Sequence, residues 1–224
     1  MCRLGAEWSN YLSLIENRPE DFINTGSIHI VTDPVIVENY QRTSGKTIGV
    51  VYSSPYHFMV VDLVYVQEGK YFAYERILPA IPNGAVVIVP QYCGDFLLLK
   101  QYRHALRGYQ YAFPRGFGEK GVSLEENVCK EIREELLTEA THVQYLGTCI
   151  ADSGLCGDKV SVFSCKVNSF SFREKYEGIS QIICVSDAEM AQWMKAGKLN
   201  DGFTLAAYGL FIANRDCKDG KTHR

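Results

Sequence analysis

Residues 113–137 read FPRGFGEKGVSLEENVCKEIREELL, a glycine-rich loop that runs into an acidic helix. Ser123 followed by Glu126 is a capping box, in which each side chain satisfies an orphan N–H at a helix start. Leu124, Val128, Ile132 and Leu136 recur every four residues and form an apolar stripe. The spacing predicts a helix over residues 123–137. Glu131 and Glu134 are three apart, and Glu131 and Glu135 four apart, so the three carboxylates share adjoining parts of one surface. At about 100° per residue, Glu131 and Glu135 fall beside Leu124, which places them at the seam between core and solvent.

Like charges at these spacings repel by roughly 0.2–0.5 kcal/mol per pair on an exposed helix, and by more when partly buried. A divalent cation turns that repulsion into coordination. Magnesium favours one or two carboxylates together with waters and phosphate oxygens. The competing explanation is a solvated acidic face, helped by Lys130 and Arg133. The loop carries a second competing pattern. Gly116, Gly118 and Gly121 spell G-x-G-x-x-G, a dinucleotide-binding signature. Pro114 breaks the strand that should precede it, the upstream chain reads as hairpins, and Asp152, the acid for a ribose, comes late. Gly45-Lys46-Thr47 hints at a phosphate loop, but Tyr40 stands where that motif needs glycine.

Working outward, residues 85–89 and 96–101 flank Tyr92-Cys93-Gly94-Asp95 and predict a hairpin. Residues 78–84, LPAIPNG, read as a linker before it. Upstream, a short helix is expected over residues 7–16, stopped by Pro19. The β-branched and aromatic runs 28–31, 35–37, 48–52, 58–66 and 71–77 predict strands. Downstream come strands over 143–150 and 159–167, then helices over 187–195 and 204–212 with Gly197 between them. The expected organisation is a helix and β-rich region over 1–80, a larger domain over 85–212, and a polar tail over 213–224.

Of the 224 residues, 46% are hydrophobic and 22% charged, the balance of a globular protein with a sizeable core. With a net charge of −3 and no basic stripe, extended nucleic acid is not an expected partner. The eight cysteines form no C-x-x-C pair, so zinc is poorly supported and free thiols in a reducing cytoplasm are expected. The N-terminus lacks the apolar stretch of a secretory signal, and no run is long enough to cross a membrane.

The loop and helix together resemble the Nudix box. That pattern is a glycine, five residues, Glu, seven residues, then Arg-Glu-apolar-any-Glu-Glu-any-Gly-apolar. In a frame starting at Gly116, Glu131, Glu134 and Glu135 match in place, while Val122, Lys130 and Leu137 replace the first glutamate, the arginine and the late glycine. In the family that glutamate and arginine support each other; here both have changed. Leu137 in place of glycine predicts that the helix runs on by some residues. Further similarity to the ADP-ribose pyrophosphatase-like branch extends from Tyr102-Arg103 and Phe113–Phe117 to Tyr145-Leu146-Gly147, Asp152-Ser153-Gly154 and Glu177-Gly178-Ile179.

The resemblance implies an α/β fold: an α/β/α sandwich around a mixed β-sheet, preceded by the β-rich N-terminal region. It implies a Mg2+- or Mn2+-dependent attack of water on a nucleoside diphosphate derivative, with ADP-ribose giving AMP and ribose 5-phosphate. Carried over, Glu131 and Glu135 are metal ligands, and Glu134 ligates or steers a water. The carbonyl of Arg115 adds a ligand, and Arg103 and Arg115 bind the substrate, Arg103 contacting phosphate. Glu177 is the first choice for general base and Glu174 the second. His104 is expected to be structural. A homodimer built through the N-terminal strands is implied. The alternative is a Nudix-fold module that binds or senses a nucleotide sugar without cleaving it.

Overall fold

The computed structural model describes residues 4–67, 69–173 and 176–218. The chain folds as two compact units, one of residues 1–80 with 152–158, the other of residues 81–151 with 159–224.

In the first unit, α1 (Ala6–Asn17) buries Trp8, Tyr11 and Leu14, a three-residue recurrence that lays one helix face on a sheet. The sheet is built from β1 (His29–Ile30), β2 (Gly49–Ser53), β3 (His57–Tyr65) and β4 (Tyr71–Pro79). The hairpin partner β4 pairs with all nine residues of β3, while β2 and β1 pair with successive stretches of β3. Between β1 and β2 lies α2 (Pro34–Ser44), where the β-branched run 35–37 had predicted a strand. Asp33-Pro34 starts this helix. The Asp33 carboxylate accepts from the amides of Val35 and Ile36 at 2.8 and 3.1 Å, and Pro34 supplies a preset first-turn φ. Gly45, at φ 70°, ends the helix in the left-handed region.

The second unit carries a seven-stranded mixed sheet. Its strands are β5 (Val86–Tyr92), β6 (Asp95–Arg103), β7 (Gly108–Ala112), β8 (Arg115–Gly116), β9 (Thr141–Cys149), β10 (Val160–Lys166) and β11 (Ile179–Val185). The β5–β6 hairpin is paired only at its tip, Gln91 to Phe96 and Tyr92 to Asp95. Beyond the tip the two strands part. β7 takes up β6, and β8 takes up the start of β5, pairing Val86 with Gly116 and Val87 with Arg115. This inserted strand pair holds the glycine-rich loop against the sheet. β10 runs parallel to β5 and antiparallel to β9.

Strand residues alternate between faces, and each face has its own helix layer. Val86, Ile88, Leu97 and Leu99 pack with Val128, Ile132 and Leu136 of α3 (Leu124–Leu136). Val87, Val89, Phe96 and Leu98 pack with Met190 of α4 (Asp187–Lys195) and with Ala207, Tyr208 and Phe211 of α5 (Gly202–Lys218). Burying a residue such as Ile132 in this way stabilises by roughly 1.5–3 kcal/mol. This is the α/β/α sandwich the resemblance implied. Two helix ends differ from the sequence reading in ways that bear on the box and the tail. α5 continues past residue 212 to Lys218, and α3 stops at Leu136. Leu137 adopts φ 50°, so the helix ends at the family's glycine position although no glycine is there.

Candidate active site

The capping box starts α3 as the sequence predicts, with Ser123 Oγ accepting from the Glu126 amide and Glu126 accepting from the Ser123 amide at 2.9 Å. Further along, the helix presents its carboxylates. Glu131 is 7% exposed and Glu135 only 2%, so both lie inside the protein rather than at a seam. The glycine loop covers the edge of the stripe. A Cβ on Gly116 would overlap the Glu131 carboxylate, so only glycine lets the loop lie flat on this side chain. Gly84 and Gly118 are pressed together in the same way, where a Cβ on one would stand 2.6–2.7 Å from the other's Cα.

Burial is the main cause of the electrostatic character of the site. It raises the Glu131 carboxyl to about 7, with Glu134 and Glu177 adding to the rise and Lys130 opposing it. Glu135 is raised well above the ordinary carboxyl range, first by burial and then by Glu131 and Glu177. The Arg103 guanidinium and the backbone amide of Arg115 work against that rise. Arg103 is itself made less basic by burial and by the neighbouring Arg115, while Asp201, Glu135 and Glu177 oppose the change. Glu135 Oε2 and Arg103 Nε are buried without a hydrogen-bond partner among the described residues.

Lys130 has a partner that the sequence reading did not supply. The altered box retains an ion pair at this helix position, because Lys130 Nζ lies 2.5 Å from Glu119 Oε1 in the loop. Glu119, three residues before Val122, supplies the carboxylate. The same ammonium lies 3.7 Å from Glu131 and 3.6 Å from Glu134. Glu134 is half-exposed beside it, on a different bearing from the buried pair. Among the described residues no three His, Cys, Asp or Glu side chains form a ready-made metal cage. The residues present do fit an ion that completes its shell with water and phosphate: two buried carboxylates, one with an unpartnered oxygen.

Arg115 sends its side chain 3.5 Å from Asp201 and across the ring of Phe203 at 5.1 Å. Asp201 also accepts from the amide and hydroxyl of Thr204, whose Oγ1 accepts from the Phe113 amide at 3.0 Å. This relay ties the beginning of the loop to the start of α5. Asn127 donates to the carbonyls of Gly84 and Phe117, which fixes the loop from the helix side. Glu177 has a φ of 45°, and its carbonyl accepts from Gln101 at 2.8 Å. Glu174 lies outside the described residues. His104 is exposed, and its ring nitrogen meets Arg107 at 3.0 Å, a structural contact. Sequence reasoning missed Glu119, Asn127 and Asp201. An asparagine on the buried side of a helix and the spacing Asp-x-x-Thr before a helix were the available signals.

The comparisons with known proteins agree with this architecture. Residues 82–211 match the model of the NUDIX domain. NAD-capped RNA hydrolase NudC of Pseudomonas putida (strain W619) is 34% identical over 85 residues, covering 38% of this chain and 28% of that protein. The protein of the same name from Pseudomonas putida (strain GB-1) is 28% identical over 160 residues, covering 68% of this chain and 50% of that one. The chain thus spans half or less of the length of these curated relatives. A solved structure described as an ADP compounds hydrolase superposes with a TM-score of 0.64 at 19% identity, covering 77% of this chain and 93% of the other. With the domain match spanning more than half of its residues, this chain belongs to the NUDIX domain family.

Proposed function

We propose that this protein is a divalent-metal-dependent hydrolase of the pyrophosphate bond in nucleoside diphosphate derivatives, with ADP-ribose as its first substrate and AMP and ribose 5-phosphate as products. The observation that carries the reading is the pairing of two buried, unpartnered atoms of opposite character, Glu135 Oε2 and Arg103 Nε, whose side chains feel each other's charge. A buried polar atom without a partner costs about 1–3 kcal/mol, and a ligand that meets both of these atoms recovers that cost. Glu131 and Glu135, with the Arg115 carbonyl, would hold Mg2+ or Mn2+, which when bound neutralises phosphate charge and acidifies a water. Arg103 receives phosphate oxygens, for which a guanidinium fork is suited. Glu134 orients the attacking water. Glu177, on its left-handed turn anchored by Gln101, accepts the proton.

The curated relatives are named for NAD-capped RNA, and NAD, like ADP-ribose, carries an adenosine diphosphate joined through a pyrophosphate. A dinucleotide or a dinucleotide-capped end is therefore the next substrate class, and it reopens the expectation that extended nucleic acid is not a partner. One observation favours the non-cleaving alternative. The Lys130 ammonium sits among Glu119, Glu131 and Glu134 and serves as an internal cation. The test is product chromatography with ADP-ribose, NAD, nucleotide sugars, nucleoside triphosphates and NAD-capped RNA, each with magnesium or manganese. AMP from ADP-ribose supports the proposal. Tight binding with no product across the panel makes the protein a sensor.

A further inference from the structure

At the other end of the sheet from the glycine loop, three strands change character together on the face that α5 covers. β5 presents Val87 and Val89 to the core and then Gln91. β10 presents Val160 and Val162, then Ser164 and Lys166. β9, running the opposite way, presents Leu146 to the core and, before it, Gln144 and His142. Residues two apart on a strand share a face, so each polar residue continues the row of its apolar neighbours. The register brings the polar rows together, since Ser164 pairs with Gln144 and Lys166 pairs with Gln91, while Val89, the last apolar residue of that β5 row, lies beside Ser164. Under the last turns of α5 these residues enclose a cavity of about 670 Å³, within the range of small-molecule sites.

A sheet face that turns polar beneath a helix needs partners for its polar groups. Ser164 is 7% exposed, yet neither its hydroxyl nor the Lys166 ammonium has a side-chain hydrogen bond or ion pair among the described residues. The described lining holds lysine, histidine and arginine but no carboxylate. Lys166 and His142 stand exposed at the mouth with Arg215, which Asp187 holds at 2.5 Å. Ser164, Gln91 and Gln144 lie deeper, above an apolar floor that includes Leu146 and Phe211. His142 has a φ of 52°, at a point where the β9–β10 register slips. A β-bulge that holds a non-glycine residue in the left-handed region re-aims a side chain at a local cost. The start of β5, where the glycine loop pairs, is four to five residues away, or about 15 Å along the strand.

We infer that this cavity is a second ligand site, which takes a small phosphomonoester: the phosphate at the cationic mouth, the hydroxyls or base of the organic part on the amides and Ser164. Binding here makes no use of Arg103 or the α3 carboxylates, so its success or failure is independent of the proposed hydrolysis.

The test reads binding, with Cys93, exposed on the cavity rim, as a built-in reporter. Iodoacetamide labelling of Cys93 is followed by mass spectrometry, with Cys129 on α3 as the internal reference. Ribose 5-phosphate, AMP, inorganic phosphate and potassium chloride are compared at equal ionic strength. Calorimetry with AMP runs in parallel on the native protein, Lys166→Glu, Ser164→Val and Arg103→Ala. The expected result is that ribose 5-phosphate and AMP slow Cys93 labelling while chloride does not. Lys166→Glu should weaken one class of AMP sites by about tenfold or more. Arg103→Ala should leave that class and the Cys93 protection intact. Equal protection by inorganic phosphate overturns the organic half of the assignment. Absence of protection, or protection that survives in both folded Lys166→Glu and Ser164→Val, overturns the site.

Discussion

Asp62 and Glu135 are both carboxylates shut away from solvent, at 1% and 2% exposure, and they are kept in opposite ways. Asp62, in the first unit, accepts from the Tyr11 hydroxyl and from Nε of Arg76 at 2.5 Å, with the Arg76 Nη2 reaching its other oxygen at 3.2 Å. Its charge is answered within the fold. Glu135, in the second unit, has an oxygen with no partner among the described residues, and Glu131 and Glu177 both disfavour its charge. Burial alone therefore says little about function. What separates a structural carboxylate from a site carboxylate is whether the protein itself satisfies the hydrogen bonds and the charge. The first unit's acid is a finished network, and the second unit's keeps an oxygen unanswered, as the proposed metal site requires.

That difference can be broken by experiment. Arg76→Met leaves Asp62 buried without its cation and should cost about 3–5 kcal/mol in denaturant unfolding, whereas Glu135→Gln should cost nothing or stabilise the metal-free protein. Equal destabilisation by the two would erase the contrast. The next effect is pH-linked. Because Glu131 rises from 4.5 to about 7 on folding, the folded state holds more protons than the unfolded one between these values. Stability of the metal-free protein should fall as pH climbs through that window, the Glu131 share being on the order of 2 kcal/mol after solvent screening, and Glu135, raised in the same direction, adds to the fall. Thermal unfolding across the window checks the sign, and saturating magnesium should shrink the loss. Stability that rises with pH there would mean that Glu131 is already satisfied by the fold.

Two smaller effects sharpen the picture of the helix that carries the site. Gly116→Ala forces the Glu131 carboxylate aside and should lower turnover by about ten- to a hundredfold, with a smaller change in unfolding. Steady-state kinetics read this, and unchanged turnover would place Glu131 outside the chemistry. Leu137→Gly relieves a left-handed leucine that is 39% exposed and should stabilise the protein by about 1 kcal/mol. A loss in the unfolding midpoint would show that the leucine's packing outweighs its backbone strain.

The parts legible in the sequence are those whose signals are local. The capping box of α3, its four-residue stripe and the hairpin at Cys93-Gly94 all have causes within a few residues, and they stand where the spacing puts them. The run 35–37 misleads because its β-branched residues outweigh Asp33 and Pro34, a cap and a first-turn proline that together specify a helix. β7 and β11 escape a local reading because long-range pairing with β6 makes them strands. The depth of Glu131 and Glu135 is hidden for a similar reason. A helical wheel assigns a face, but the loop that covers this one arrives by pairing β8 with β5. Glu119 answers Lys130 from outside the motif's fixed frame, so no pattern match could supply it.

The most direct measurement is the rate of AMP release from ADP-ribose by the native protein and by Glu135→Gln, in magnesium and in chelator, with unfolding midpoints recorded alongside. Native turnover that needs magnesium and falls by about 10²–10³-fold in a variant no less stable than the native protein is the predicted result. Turnover that persists in Glu135→Gln or in chelator would contradict the assignment of this buried carboxylate to the site.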